Sequence, residues 1–309
     1  MQNLWGIDLG GTKIEGVIVN TSSGIEELLR LRVPTEAHLG YEHILSQVKK
    51  LVEMMIQQSG ETPKMVGIAS PGTYIPTKKI MKNCNATVIN GRDLKTDLEG
   101  ILGFPIALAN DANCFALAEA RLGVGKMQYP EAKVIFGVIL GTGVGGGLVV
   151  NGQIINGKHG IGGEWGHNYL YPGEGNLCYC GKQGCNEQII SGPALERYYE
   201  SLTVVKRPLK EIYERSKDGD AAAKQTMTRL IEGFQKAFSI VINVVDPDLI
   251  VLGGGVSHID LLYNDHSLLK EMVFNHEFET PLVKAALGDS AGVFGAALLL
   301  EGCEREFCL

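Results

Sequence analysis

No run in this chain approaches the roughly 18 consecutive apolar residues of a membrane span, and no basic segment leading into an apolar one opens it. Cationic excess is missing as well. Against 35 Asp and Glu stand 28 Lys and Arg, and the net charge of −7 argues against a surface that grips nucleic acid through its phosphates. A disulfide framework is also absent from the pattern. The seven cysteines are an odd number, and Cys84, Cys114, Cys303 and Cys308 lie far apart. Without an export signal the chain is expected in a reducing cytoplasm, with no membrane and no nucleic acid as partner.

What the sequence has in quantity is glycine, 40 of 309 residues. The length suggests two domains of about 100–200 residues each. Three of the seven cysteines crowd into one stretch, CYCGKQGC at 178–185. A disulfide knot, a redox centre and a metal site are the candidates there. The spacings are C-x-C and C-x4-C, so the C-x-x-C redox pair is missing.

A repeat runs through the chain. GIDLGGTKIEGVIVN (6–20) and GVILGTGVGGGLVVN (137–151) align without a gap at an offset of 131, with identities at 6/137, 9/140, 10/141, 16/147, 19/150 and 20/151. Each copy predicts a strand, a glycine turn and a second strand. The first half continues with a third strand at 25–34 and a helix at 40–59, where Ile44, Leu45, Val48, Leu51, Val52 and Met55 recur at helical spacing. Short buried strands are expected at 65–70 and 105–110, and a helix from Asp111 to Leu122. In the second half Asn151-Gly152 signals a hairpin. Leu230, Phe234, Ala237, Phe238, Val241, Ile242 and Val245 mark a helix ended by Asp246-Pro247; a strand at 249–255 and a last helix from about Gly292 to Leu300 follow. The fold class is α/β in two lobes.

Gly141, Gly143 and Gly146 satisfy the G-x-G-x-x-G dinucleotide pattern. That motif needs a helix after its loop, and here a second strand follows, so the Rossmann reading fails on context. A strand-turn-strand glycine loop can instead hold phosphates with its backbone N–H groups, or it can be a β-turn that binds nothing. In DLGGTK (8–13), Gly10 and Gly11 form the turn, Thr12 and Lys13 offer a hydroxyl and a cation, and Asp8 can hold hydrated Mg2+ or cap the hairpin. Gly141, Thr142 and Gly143 make the second loop, and Gly253, Gly254 and Gly255 a third that also follows a strand. Together they point to a nucleotide in a cleft.

GIDLGGTK, ANDANC, GTGVGGG, GEWGH and CYCGKQGCNE together resemble the ROK family of bacterial sugar kinases and repressors, from Gly6 to about Ala297. The resemblance implies an actin-like ATPase (ribonuclease H-like) fold, two lobes around a nucleotide and sugar cleft. The N-terminal lobe is expected from 1–119 with 290–309, and the C-terminal lobe, carrying the metal site, from 120–289. It implies an ATP-dependent hexose kinase using ATP and Mg2+, and a homodimer. NCNATVINGRDL (83–94), GEWGHN and the segment 279–297 look most like the fructokinase or manno(fructo)kinase branch. The expected acceptor is therefore the 6-OH of fructose or mannose, with glucose as a further option and Asn83 and Asn85 near the sugar. The alternative is an N-acetylglucosamine kinase, whose members share NDANCFALAEA and ILGTGVGGGL.

In ANDAN, Asp111 occupies the place of the family's general base, which orients a sugar hydroxyl and takes its proton. Its structural alternative is a helix N-cap. Asn110, Glu164, His167 and Glu187 carry over as further sugar ligands. His167 and the cysteines give H-x10-C-x-C-x4-C, three thiolates and an imidazole, which suits closed tetrahedral zinc. The resemblance makes His167, Cys178, Cys180 and Cys185 its ligands. Zinc on one ring nitrogen would make the other an N–H donor of fixed direction. Asn186 departs from the apolar residue that relatives usually carry between Cys185 and Glu187. A ROK repressor would need a helix-turn-helix ahead of the first strand, which starts near Met1, and an actin-like scaffold would not need the sugar residues.

Overall fold

The computed structural model describes residues 3–21, 25–84 and 86–301. Asn85, Cys303 and Cys308 fall outside them. The chain forms two compact units: residues 1–123, 153–162 and 289–309 in the first, and 124–152 and 163–288 in the second. Residues 153–162, which no composition shift sets apart from their neighbours, thus pack with the first unit.

The first unit opens as the meander read from the sequence. Strands β1 (Leu4–Leu9), β2 (Lys13–Asn20) and β3 (Glu26–Pro34) pair antiparallel in succession. Helix α1 (Tyr41–Ser59) buries Ile44, Leu45, Val48, Leu51, Val52 and Met55, the face that its spacing predicts. Strand β4 (Val66–Ser70) pairs parallel with β1, and β5 (Thr73–Ile75) with β6 (Ile80–Lys82) makes a small hairpin. Asp93 caps helix α2 (Leu94–Leu102) by accepting the Thr96 N–H. Strand β7 (Ile106–Asn110) then runs directly into helix α3 (Asp111–Arg121). The sheet order is β3-β2-β1-β4-β7.

The second unit starts with helix α4 (Val124–Gln128), then strands β8 (Val134–Leu140) and β9 (Val144–Val150). Asn151 and Gly152 both have positive φ, 52° and 74°, as the two-residue hairpin turn requires. The chain then enters the first unit through β10 (Gln153–Ile154) and returns at Gly163. Helices α5 (Asn186–Ile190), α6 (Gly192–Thr203), α7 (Leu209–Lys217) and α8 (Ala221–Val245) follow. Along α8, Leu230, Phe234, Ala237, Phe238, Val241 and Ile242 are buried, and Asp246 ends the helix at φ 46°. Strand β11 (Leu249–Gly253), helix α9 (Ser267–Met272) and strand β12 (Leu282–Lys284) complete the unit, with sheet neighbours β9-β8-β11-β12.

The offset-131 repeat is visible in the pairing. In each sheet the first strand of the repeat is antiparallel to the second and parallel to a later one. The turns differ by one residue. Leu9 opposes Ile14 across a four-residue loop in one copy, and Leu140 opposes Val144 across three in the other.

The last helix, α10 (Ala291–Leu298), belongs to the first unit. A Cβ on Gly67 would strike the Ala296 carbonyl, and one on Gly6 the Val293 carbonyl. Two sheet glycines thus let α10 press its backbone against β1 and β4.

Candidate active site

In the first unit the polar residues converge at the ends of β1 and β7. Asn110 caps α3: its Oδ1 accepts the Ala112 N–H at 2.9 Å, and its Nδ2 donates to the Gly72 carbonyl at 3.0 Å. The capping duty therefore falls to Asn110, and Asp111 is the first helical residue, its Oδ1 also within 2.8 Å of the Ala112 N–H. Asp111 remains open to water at residue level while protein atoms crowd its carboxyl, and that burial raises its pKa. Asp8 lies close enough to feel it. The Asp8 pKa is pushed up to about 7, first by burial and then by the charges of Asp111 and Glu15, with Lys13 acting the other way.

The first glycine loop is held from outside by Thr35. This buried hydroxyl donates to the Gly10 carbonyl at 2.6 Å, and the Thr35 N–H donates to the Thr12 carbonyl at 3.0 Å. Gly11 and Thr12 are exposed. The Lys13 ammonium donates to Glu15 at 2.9 Å, and Arg30 and Arg32 donate to the same buried carboxylate at 2.5 and 3.0 Å. Burial opposes ionisation of Glu15, but the bonds from Arg32, Lys13 and Arg30 outweigh it and hold its pKa at about 2. Sequence pattern alone did not find Thr35 or Glu15. Both act through partners distant in sequence or on another strand.

In the second unit two glycine loops lie side by side. Gly254 has φ 81°, and a Cβ there would meet the Leu140 carbonyl, so this turn requires glycine. A Cβ on Gly141 would come within 3.8 Å of the Gly255 nitrogen, which puts the loops Gly141–Thr142–Gly143 and Gly253–Gly254–Gly255 together. The Gly141 carbonyl accepts the Gly192 N–H at 2.9 Å at the start of α6. Glu187 reaches this region from α5, its Oε2 accepting the Val144 N–H at 3.2 Å.

The cysteine stretch and His167 come together as expected. The ligand atoms of His167, Cys178, Cys180 and Cys185 all lie within 4.8 Å of one another. Cys178 Sγ is 3.6 Å from His167 Nδ1. Tetrahedral zinc with Zn–S of about 2.3 Å and Zn–N of about 2.05 Å demands an S···N edge of about 3.6 Å. Three thiols and an imidazole in that spacing fit zinc. The second His167 nitrogen is engaged: Nε2 lies 2.7 Å from the Tyr179 hydroxyl, whose ring stands edge-on to the imidazole at 4.9 Å. Tyr179, between the first two cysteines, is a contact that the ligand spacing does not reveal. Glu187 Oε1 lies 3.8 Å from Cys178 Sγ. Glu164 is half-buried, in the same turn as Trp165 and His167.

Asn186 has a structural account. Its Nδ2 donates to the Trp165 carbonyl at 2.8 Å, and its N–H to the Asn168 carbonyl at 3.0 Å. The Glu187 N–H donates to the Gly166 carbonyl at 2.9 Å. The helix carrying Glu187 is thus laced to the turn carrying Glu164 and His167.

The family model described as the ROK family matches residues 4–302. The N-acetyl-D-glucosamine kinase of Vibrio cholerae is 34% identical over 308 residues, covering 96% of this chain and 98% of that protein. The crystal structure of a ROK hexokinase from Thermus thermophilus superposes with a TM-score of 0.80 at 29% identity, covering 96% of this chain and 97% of the other. A ROK family glucokinase from Streptomyces griseus, in complex with glucose and AMPPNP, superposes at 0.76 with 28% identity, covering 98% and 100%.

Proposed function

The chain belongs to the ROK family, with its two-lobed actin-like ATPase fold, and from that premise we propose that it is an ATP-dependent kinase of N-acetyl-D-glucosamine. The observation that carries this reading is the end-to-end likeness to the Vibrio cholerae kinase of that sugar. The fructose- or mannose-directed reading of NCNATVING has less behind it: the Vibrio cholerae relative is a kinase of N-acetyl-D-glucosamine, Asn83 is exposed, and Asn85 is outside the described residues.

Asp111 is the general base, accepting the proton of the sugar hydroxyl as that oxygen attacks the γ-phosphorus. Its fixed seat at the β7–α3 junction and its raised proton affinity suit the role. Asn110, Glu164, His167 and Glu187 orient the sugar, a sugar hydroxyl taking the place that the Tyr179 hydroxyl holds at His167 Nε2. The N–H groups of the loops at 10–13, 141–143 and 253–255 hold the nucleotide. Asp8, half-buried and next to Asp111's charge, is suited to the hydrated Mg2+ that accompanies the nucleotide and offsets phosphate charge. Zinc on His167, Cys178, Cys180 and Cys185 is structural, fixing the imidazole ring against the strap that bears Glu187.

The test is a coupled ATP assay over N-acetylglucosamine, glucose, mannose and fructose. The highest kcat/KM is expected for N-acetylglucosamine. A higher value for fructose or mannose, or ATP turnover indifferent to sugar, overturns the reading.

A further inference from the structure

One residue of the second unit, the buried Val144, is gripped on both of its backbone groups by residues of the site. In the β8–β9 hairpin the Gly141 N–H donates to the Gly143 carbonyl at 3.0 Å, so the neighbouring pair, Leu140 and Val144, is of the kind that exchanges no hydrogen bonds. The N–H and carbonyl of Val144 therefore point away from β8. Glu187 Oε2 accepts the N–H at 3.2 Å, and Gly166, beside His167, packs against the carbonyl, where a Cβ would strike the oxygen. Gly143 makes room for the first of these contacts. A Cβ there would stand 2.7 Å from Glu187 Oε2.

The same stretch of chain holds the other end of the turn. Just past α5, the Gly192 N–H donates to the Gly141 carbonyl at 2.9 Å. The Asn186 amide and the Glu187 N–H donate in turn to the Trp165 and Gly166 carbonyls, at 2.8 and 2.9 Å. The Glu187 carboxylate commits only Oε2 to the turn. Its Oε1 has Cys178 Sγ at 3.8 Å, a long contact with a weak donor, and is the oxygen left for a sugar hydroxyl.

We propose that Glu187, besides binding the sugar, is a positioning residue for the nucleotide. A hydroxyl bonded to Oε1 fixes the carboxylate, Oε2 then holds the Val144 N–H, and the turn 141–144 is set for the phosphates before ATP arrives. Sugar thus lowers the ordering cost that nucleotide binding meets, and each ligand tightens the other. The inference rests on the sugar-kinase reading, whichever hexose is the acceptor.

The readout is a ratio of two dissociation constants from calorimetry: that of AMPPNP with Mg2+ alone, over that with the preferred sugar at saturation. The wild-type ratio should be about fivefold or more. A ratio near one in an enzyme that phosphorylates a hexose overturns the inference and leaves the kinase reading standing. Gly143→Ala, at a backbone conformation open to alanine, pushes the carboxylate off Val144 and should bring the ratio to within about twofold of one. Both constants come from the same variant, so a change in nucleotide affinity alone cancels. A ratio kept at the wild-type value assigns the coupling to other contacts and overturns the role of Glu187. Should Gly143→Ala not fold or not bind AMPPNP, the wild-type enzyme answers through hydrogen exchange. With sugar and no nucleotide, the Val144 amide should exchange at least about tenfold more slowly, and an unchanged rate overturns the inference. Wild-type enzyme that binds AMPPNP but no hexose overturns the kinase reading as well.

Discussion

The Asn186 amide donates to the Trp165 carbonyl at 2.8 Å and so ties the first turn of α5 to the loop of Glu164 and His167. The bond is buried, and its loss would cost about 0.5–1.5 kcal/mol, because the Trp165 carbonyl keeps the Asn168 N–H as its second donor at 3.0 Å. Asn186→Leu is therefore expected to raise the sugar KM several-fold with kcat within about twofold, since it loosens positioning without touching the base. Steady-state kinetics decide. A fall in kcat at constant KM would assign Asn186 to the chemical step instead.

Zinc should be present at about one ion per chain by elemental analysis, given the four ligand atoms clustered within 4.8 Å. Chelation, or Cys185→Ser at a fully buried position, should lower Tm and raise the sugar KM about tenfold or more. Active protein free of zinc would dismiss the metal from this role.

Replacing the base separates chemistry from binding. Asn110, not Asp111, caps α3, so Asp111→Ala should fold normally. Its kcat should fall by about 10²–10⁴ while sugar affinity, measured by calorimetry, stays within tenfold. Near-normal turnover would remove Asp111 from catalysis.

Stability should carry the signature of Asp8. Its folded pKa of about 7 lies above the ordinary 3.8, so the folded chain holds more protons than the unfolded chain between those values. Stability from this group is then highest at low pH and declines as pH rises through 7. Asp8→Asn cannot titrate, and its urea midpoint between about pH 5 and 8 should fall less steeply than that of the wild type. Parallel profiles would show that Asp8 titrates elsewhere.

Much of this was legible in local pattern. The β1–β2 and β8–β9 hairpins, the α1 and α8 faces and the clustering of Cys178, Cys180 and Cys185 all follow from spacing along the chain, because each is set by residues near one another in sequence. Side-chain partners were not. Thr35 reaches Gly10 across 25 positions, Tyr179 meets His167 through a loop crossing, and the one-residue difference between the repeat's turns leaves no mark in a gapless alignment.

The close seat of α10 on Gly6 and Gly67 bears on how the protein is made. On the ribosome, β1 and β4 emerge first, yet the helix that covers them is encoded at 291–298, close to the end of the described chain. The first unit cannot finish its core until the second unit, from α4 to β12, has been synthesised. Nascent chains halted before α10 should expose the apolar strip of Leu4, Val17 and Val19 that Val293 and Ala297 cover, and would be clients for chaperones for as long as translation is delayed.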